Sequence, residues 1–162
     1  MLHTLKKIFS KGNNRVGAVG EFTIKAMRNG EVVRTMVIKN QVLNTTDRGV
    51  QLLIQQMAGV TTNPIDIDTL SIGTDNSART TTMTNLVAPV TTNIPFADRA
   101  AVGNEWQGDF LVLDSELPDD TYYEVGVFMH GKMYASALIS GGFSKVTGED
   151  LLISYKATLT PA

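Results

Sequence analysis

The run Gly20-Glu21-Phe22-Thr23-Ile24-Lys25-Ala26-Met27-Arg28-Asn29-Gly30-Glu31-Val32-Val33-Arg34-Thr35-Met36-Val37-Ile38-Lys39 reads as a β-hairpin from end to end. Phe22, Ile24 and Ala26 alternate with Thr23, Lys25 and Met27, the period-two pattern of a half-buried strand. Asn29-Gly30 follows, a pair suited to a two-residue turn because both central positions need positive φ. On the return strand Val33, Thr35, Val37 and Lys39 share one face and Val32, Arg34, Met36 and Ile38 the other.

The last third of the chain repeats this pattern. Trp106 to Leu113 is predicted as a strand with Trp106, Gly108, Phe110 and Val112 on one face. Leu117-Pro118-Asp119-Asp120 turns the chain into a strand where Tyr123, Val125, Val127 and Met129 alternate with Tyr122, Glu124, Gly126 and Phe128. His130-Gly131 leads to a strand over Lys132 to Ile139, which Gly141-Gly142 is expected to break. After the turn Thr147-Gly148-Glu149-Asp150, the residues Leu151, Ile153, Tyr155, Ala157 and Leu159 alternate up to Pro161.

Between these regions lies one helical pattern. Val50, Leu53, Ile54 and Met57 stand at i, i+3, i+4 and i+7, predicting a helix over about 47–58 with that stripe against the sheet. Thr46 is the expected N-cap, Asp47 sits in the first turn and Gly59 ends the helix. The stretch 61–105 is threonine-rich and reads as mostly loop, with Leu70-Ser71-Ile72-Gly73 a short buried strand and Leu86-Val87-Ala88 a turn or strand. Pro64, Pro89 and Pro95 argue against a long regular element there. About seven or eight short strands and one helix predict a mainly β fold. The expected form is a single antiparallel β-sandwich or jelly-roll-like domain over 17–162, after an N-terminal arm at 1–16.

In the arm, Leu2, Leu5, Ile8 and Phe9 recur at helical spacing with Lys6 and Lys7 between them, and Lys11-Gly12-Asn13-Asn14-Arg15 ends the pattern. Leu5, Lys6, Lys7, Ile8 and Phe9 are candidate interface residues. Of the 14 basic residues Lys6, Lys7, Lys11 and Arg15 lie in this arm, beside no acid, while the body holds all 16 acidic ones. A basic arm on an acidic body suits pairing with itself or with a neighbouring copy.

Composition excludes some functions. With 43% apolar residues, the chain of 162 residues has enough for one core. The net charge of -2 argues against a nucleic-acid partner, since phosphate neutralisation needs a basic surface. No apolar run approaches the roughly 18 residues of a membrane span, and no signal peptide is legible. The expectation is a protein made in the cytoplasm of its host. The absence of cysteine removes disulfides and thiol chemistry.

Candidate chemistry is sparse. The two histidines are His3, in the arm, and His130, in a hairpin turn, and no serine-hydrolase elbow or phosphate-binding loop is present. Asp66, Asp68 and Asp75 are oxygen-rich but lack calcium-loop spacing. Glu116, Asp119 and Asp120 crowd one proline turn, which suits a polar loop better than a glycosidase pair. Neither a metal nor a cofactor is expected. Glu124 stands among Tyr122, Tyr123, Val125, Val127 and Phe128; facing inward, it needs a partner, for which Arg48 and Arg99 are the candidates. It is therefore read as a structural buried acid rather than a catalytic one. Trp106, the single tryptophan, is read as a core residue, with a partner-facing anchor as the alternative.

The order of several short motifs is similar to that of small structural proteins of tailed bacteriophages. Asn40-Gln41-Val42-Leu43-Asn44 leads through Asp47-Arg48-Gly49 into the helix. Leu70-Ser71-Ile72-Gly73-Thr74-Asp75, Glu124-Val125-Gly126-Val127-Phe128 and Phe143-Ser144-Lys145 follow. The third residue after Ile72 is Asp75, where the family pattern has glycine. The resemblance covers about 20–160 and implies a β-sandwich virion subunit, non-enzymatic, assembling through contacts with other capsid or tail proteins. It implies a homo-oligomer, with a trimer preferred. Capsid decoration or cement and tail, neck or baseplate accessory are the two placements. A carbohydrate- or receptor-binding module of a tail fibre is the alternative, with Tyr122, Tyr123, Tyr134 and Trp106 as stacking candidates.

Overall fold

The computed structural model describes residues 16–44, 48–59 and 66–161. The elements run β1 (Val16–Arg28), β2 (Glu31–Lys39), β3 (Gln41–Val42), α1 (Val50–Met57), β4 (Thr69–Gly73), β5 (Pro89–Pro95) and β6 (Asp98–Val102). They continue with β7 (Glu105–Val112), a 3-10 turn at Asp114–Glu116, β8 (Thr121–Met129), β9 (Lys132–Ser144) and β10 (Asp150–Pro161). Two five-stranded antiparallel sheets form, in the orders β2-β1-β10-β7-β6 and β3-β9-β8-β4-β5. They stack as a β-sandwich.

The hairpin forms as its alternation predicts. Asn29 and Gly30 take φ of 53° and 82°, and Phe22, Ile24 and Ala26 are fully buried. On β2 it is the face of Met36 and Ile38 that packs on the core. Leu151, Ile153 and Tyr155 of β10 and Phe110 and Val112 of β7 continue the inner face of this sheet. Leu70, Ile72, Val125, Val127, Ala135 and Ala137 meet it from the second. Each large side chain buried here contributes about 1.5–3 kcal/mol relative to exposure.

β8 is apolar on both faces because both are covered. Val125, Val127 and Met129 face the first sheet. Phe128, on the other side, packs with Leu43, Leu86 and Met133, and Met83 lies against them. The irregular stretch 74–88 thus serves as a partial third layer.

Three sequence expectations change. The helix begins at Val50, later than the expected 47, and docks through Leu52 and Leu53. Ile54 and Met57, assigned to the inner stripe, are 58% and 85% exposed. Thr46 and Asp47 lie outside the described residues; Gly49 precedes the helix at φ 55° and is packed so tightly on the Leu43 carbonyl that any Cβ would overlap it. Gly141-Gly142 does not end β9: at φ of 81° and 75° the two glycines absorb a register shift, after which Phe143 pairs with Tyr122. The 61–105 region supplies two strands in addition to β4. Its Pro89 and Pro95 stand at the two ends of β5, an edge strand, where missing N–H groups are tolerated. The arm lies outside the described residues except for Val16, which opens β1.

Candidate interaction surface

Glu124 has no exposed surface. Its Oε1 accepts the Ala88 N–H at 2.6 Å and its Oε2 the Val87 N–H at 2.9 Å. The same Oε2 pairs with Arg79 Nη1. Arg79, itself buried, donates from Nη2 to Asp75 at 2.7 Å and to the Ser77 carbonyl at 2.6 Å. Hydrogen bonds from Ser77 hold the Asp75 carboxyl below its ordinary range, and Arg79 adds to this. The partner of Glu124 is therefore neither arginine expected from the sequence. Arg48 donates to the Thr84 carbonyl at 3.0 Å, and Arg99 meets Asp66 at 3.5 Å and lies over Phe96. Arg79 sits in an aperiodic threonine-rich stretch, where no local signal marks it.

Two further buried charges tie loops to strands. Lys145, 3% exposed, donates to Asp114 at 2.5 Å and Asp119 at 2.9 Å. Burial pulls its ammonium down, but the two carboxylates outweigh this and raise it. The Thr147 hydroxyl and then Lys145 hold Asp119 low, while Lys145 leads for Asp114. Glu149 pairs with Arg28 at 3.3 Å and with Arg34, whose guanidinium lies over Phe143. In the acidic turn, Glu116 accepts the Leu113 N–H at 2.9 Å and Asp120 the Thr121 N–H at 2.7 Å. These carboxylates are thus engaged locally.

Asp66 and Asp68 converge on the β8–β9 turn. His130 Nε2 lies 2.8 Å from Asp66, and the His130 backbone N–H donates to Asp68 at 3.2 Å. Asp75 turns away to Ser77 and Arg79. Among the described residues, no group of three or more such side chains is arranged to hold a metal ion.

The motif residues share one property. Asn40 donates its side-chain N–H to the Tyr155 hydroxyl at 3.0 Å. Gly49 accommodates the Leu43 carbonyl, and Gly73 leaves room for the Ala88 carbonyl and the Glu124 carboxylate, which a Cβ would strike. Glu124 and Lys145 are the buried charges just described. All five make their contacts inside the body.

The exterior offers strand edges and apolar side chains. β2 is an edge strand of nine residues without proline, exposing Val32, Val33 and Val37. Tyr122 and Tyr134 are buried, and Trp106 is half-buried beside Tyr155. Trp106 also lines a cleft of about 260 Å³ at one end of the sandwich, with Leu53, Ile67, Met129, Tyr134 and Leu159. Leu5, Lys6, Lys7, Ile8 and Phe9 lie outside the described residues. No helix among the described residues is long and apolar enough to cross a membrane. No family profile matches the chain, and neither a curated protein nor a solved structure matches it.

Proposed function

We propose that the protein is a non-enzymatic structural subunit of a tailed-phage virion, made in the host cytoplasm and built into the particle by protein–protein contact. What carries the reading is the use of the motif residues. Asn40, Gly49, Gly73, Glu124 and Lys145, the positions that resemble phage structural proteins, all lock strands and loops to one another. They specify a rigid body and leave its outer surface to make contacts. The β2 edge, paired on one side only among the described residues and exposing three valines, supports association, because unpaired N–H and C=O groups template a further strand. The assembling unit in this reading is a homo-oligomer, preferably a trimer, as the resemblance to phage structural proteins implies. Its partners are capsid or tail proteins, with no part for nucleic acid, membrane, metal or cofactor.

Two placements are separated by one experiment. Particles from the encoding phage are split into heads and tails, and the chain is sought in each by mass spectrometry. A decoration subunit is expected on heads, where its removal lowers their resistance to heat; a tail, neck or baseplate subunit is expected in the tail fraction. Absence from both overturns the virion reading. Of the stacking residues that the carbohydrate-binding alternative would use, Tyr122 and Tyr134 are buried, which leaves Tyr123 and Trp106, both half-buried, to carry it.

A further inference from the structure

Among the described residues, β2 and β6 end one sheet and β3 and β5 the other. Sheet edges are commonly blunted by shortness, proline or charge. β3 is two residues long, and β5 carries Pro89 and Pro95 at its ends with Asn93 at positive φ between them. β6 has five residues and opens on Asp98-Arg99. β2 is the longest of these edges, with nine residues and no proline. Its register against β1 skips Val33 and is unbroken from Arg34 to Lys39. Asn40 donates its N–H to the Gly20 carbonyl at 3.1 Å, which continues that register. Backbone groups of successive strand residues point to alternate sides, so Arg34, Met36 and Ile38 also turn theirs to β1. Thr35, Val37 and Lys39 turn theirs to the open side.

The geometry points to β2 pairing antiparallel with β2 of a second copy, the twofold axis passing through Val37. Val37 then faces Val37 of the second copy, and Thr35 faces Lys39 in both directions. Each of these facing pairs exchanges two backbone hydrogen bonds. An axis at Thr35 would set Val37 against the skipped Val33, and an axis at Met36 or Ile38 would lose one of the facing pairs. On the inner face, Met36 and Ile38 pack on the core and are only partly buried. The same axis lays Met36 of each copy against Ile38 of the other and joins the two cores. On the outer face Val37, 57% exposed, meets its own copy. No like charges face one another: Lys39 lies opposite threonine, and Arg34, held by Glu149, falls opposite Asn40. A second copy is the occupant because the strand complements itself at every facing position, as a twofold contact requires. This pairing rests on the reading of the body as a self-associating subunit. Being isologous, it closes at two copies, so a trimer would be made through another surface.

The mass in solution is measured on the full chain over a concentration series reaching about millimolar, beside Val37→Pro and Val37→Lys. The proline removes an N–H that β1 does not use, and the lysine sets like charges across the axis. Each variant is expected to halve the mass and to raise the dissociation constant roughly tenfold or more. Far-UV circular dichroism verifies the fold, and the lysine variant carries the test if the proline variant does not fold. The chain has no cysteine, so single cysteines report the register. Facing residues of a hydrogen-bonded pair have Cα atoms about 5.5 Å apart, within reach of a disulfide. Oxidised Val37→Cys is therefore expected to form a covalent pair. Thr35→Cys is not, because the two copies of that position stand about 13 Å apart along the strands. A mass of one chain at every concentration overturns the inference and leaves the edge to a strand of another protein. A mass that neither variant changes overturns it too, as does a covalent pair through Thr35→Cys in place of Val37→Cys. The fractionation of heads and tails tests the virion reading separately, so the failure of either is told from the failure of the other.

Discussion

At Glu124 a fully buried carboxyl group is met by two backbone N–H groups and one guanidinium. Such a pair stabilises little relative to an apolar isostere, but losing one partner strands the other. Glu124→Gln and Arg79→Met should each lower unfolding free energy by about 3–5 kcal/mol. The double substitution should cost less than the sum, read from urea unfolding of all four proteins. Tyr122 gives a pH signature. Burial, and after it the negative charge of Asp120, push its phenol up to about 12 from 10.0. The fold therefore favours the neutral phenol: this stability is present below pH 10 and is lost as pH rises toward about 12. Its hydroxyl also donates to the Pro118 carbonyl at 2.6 Å. Tyr122→Phe should lower stability by about 1 kcal/mol at neutral pH and make the alkaline loss shallower. An alkaline denaturation curve as steep as that of the unaltered protein would refute the assignment.

Among the elements, the helix separates pattern from packing. Its apolar residues at i, i+3, i+4 and i+7 suggest a stripe through Ile54 and Met57, yet the docked face is that of Leu52 and Leu53. A helix this short carries too few residues for periodicity to select one face, and Gly49, held against Leu43, sets its entry angle. Leu52→Ala should cost about 2–3 kcal/mol of stability. Met57→Ala should stay within about 0.5 kcal/mol, and thermal melts of the two variants order them. The hairpins were legible because turn chemistry and alternation act over a few residues, as in Asn29-Gly30 and the buried series Phe22, Ile24, Ala26. β5 and β6 were not, because short edge strands whose side chains are nearly all exposed carry almost no hydrophobic signal.

For the whole molecule, the division follows the range of the forces. Alternation in Leu151, Ile153 and Tyr155, the Asn29-Gly30 turn and the apolar content suffice for a strand-built body, and an acid set among aromatics and valines needs a partner if it faces inward. Which cation answers Glu124, which helix face turns inward and which loop roofs β8 are settled only when distant segments meet. β1 pairs with β10 from the opposite end of the chain, and Arg79 reaches Glu124 across 45 residues. Strand and turn preferences are local free energies that each short segment carries with it. Partner choice is a property of the closed sandwich, where desolvation makes one contact obligatory and no local pattern encodes it.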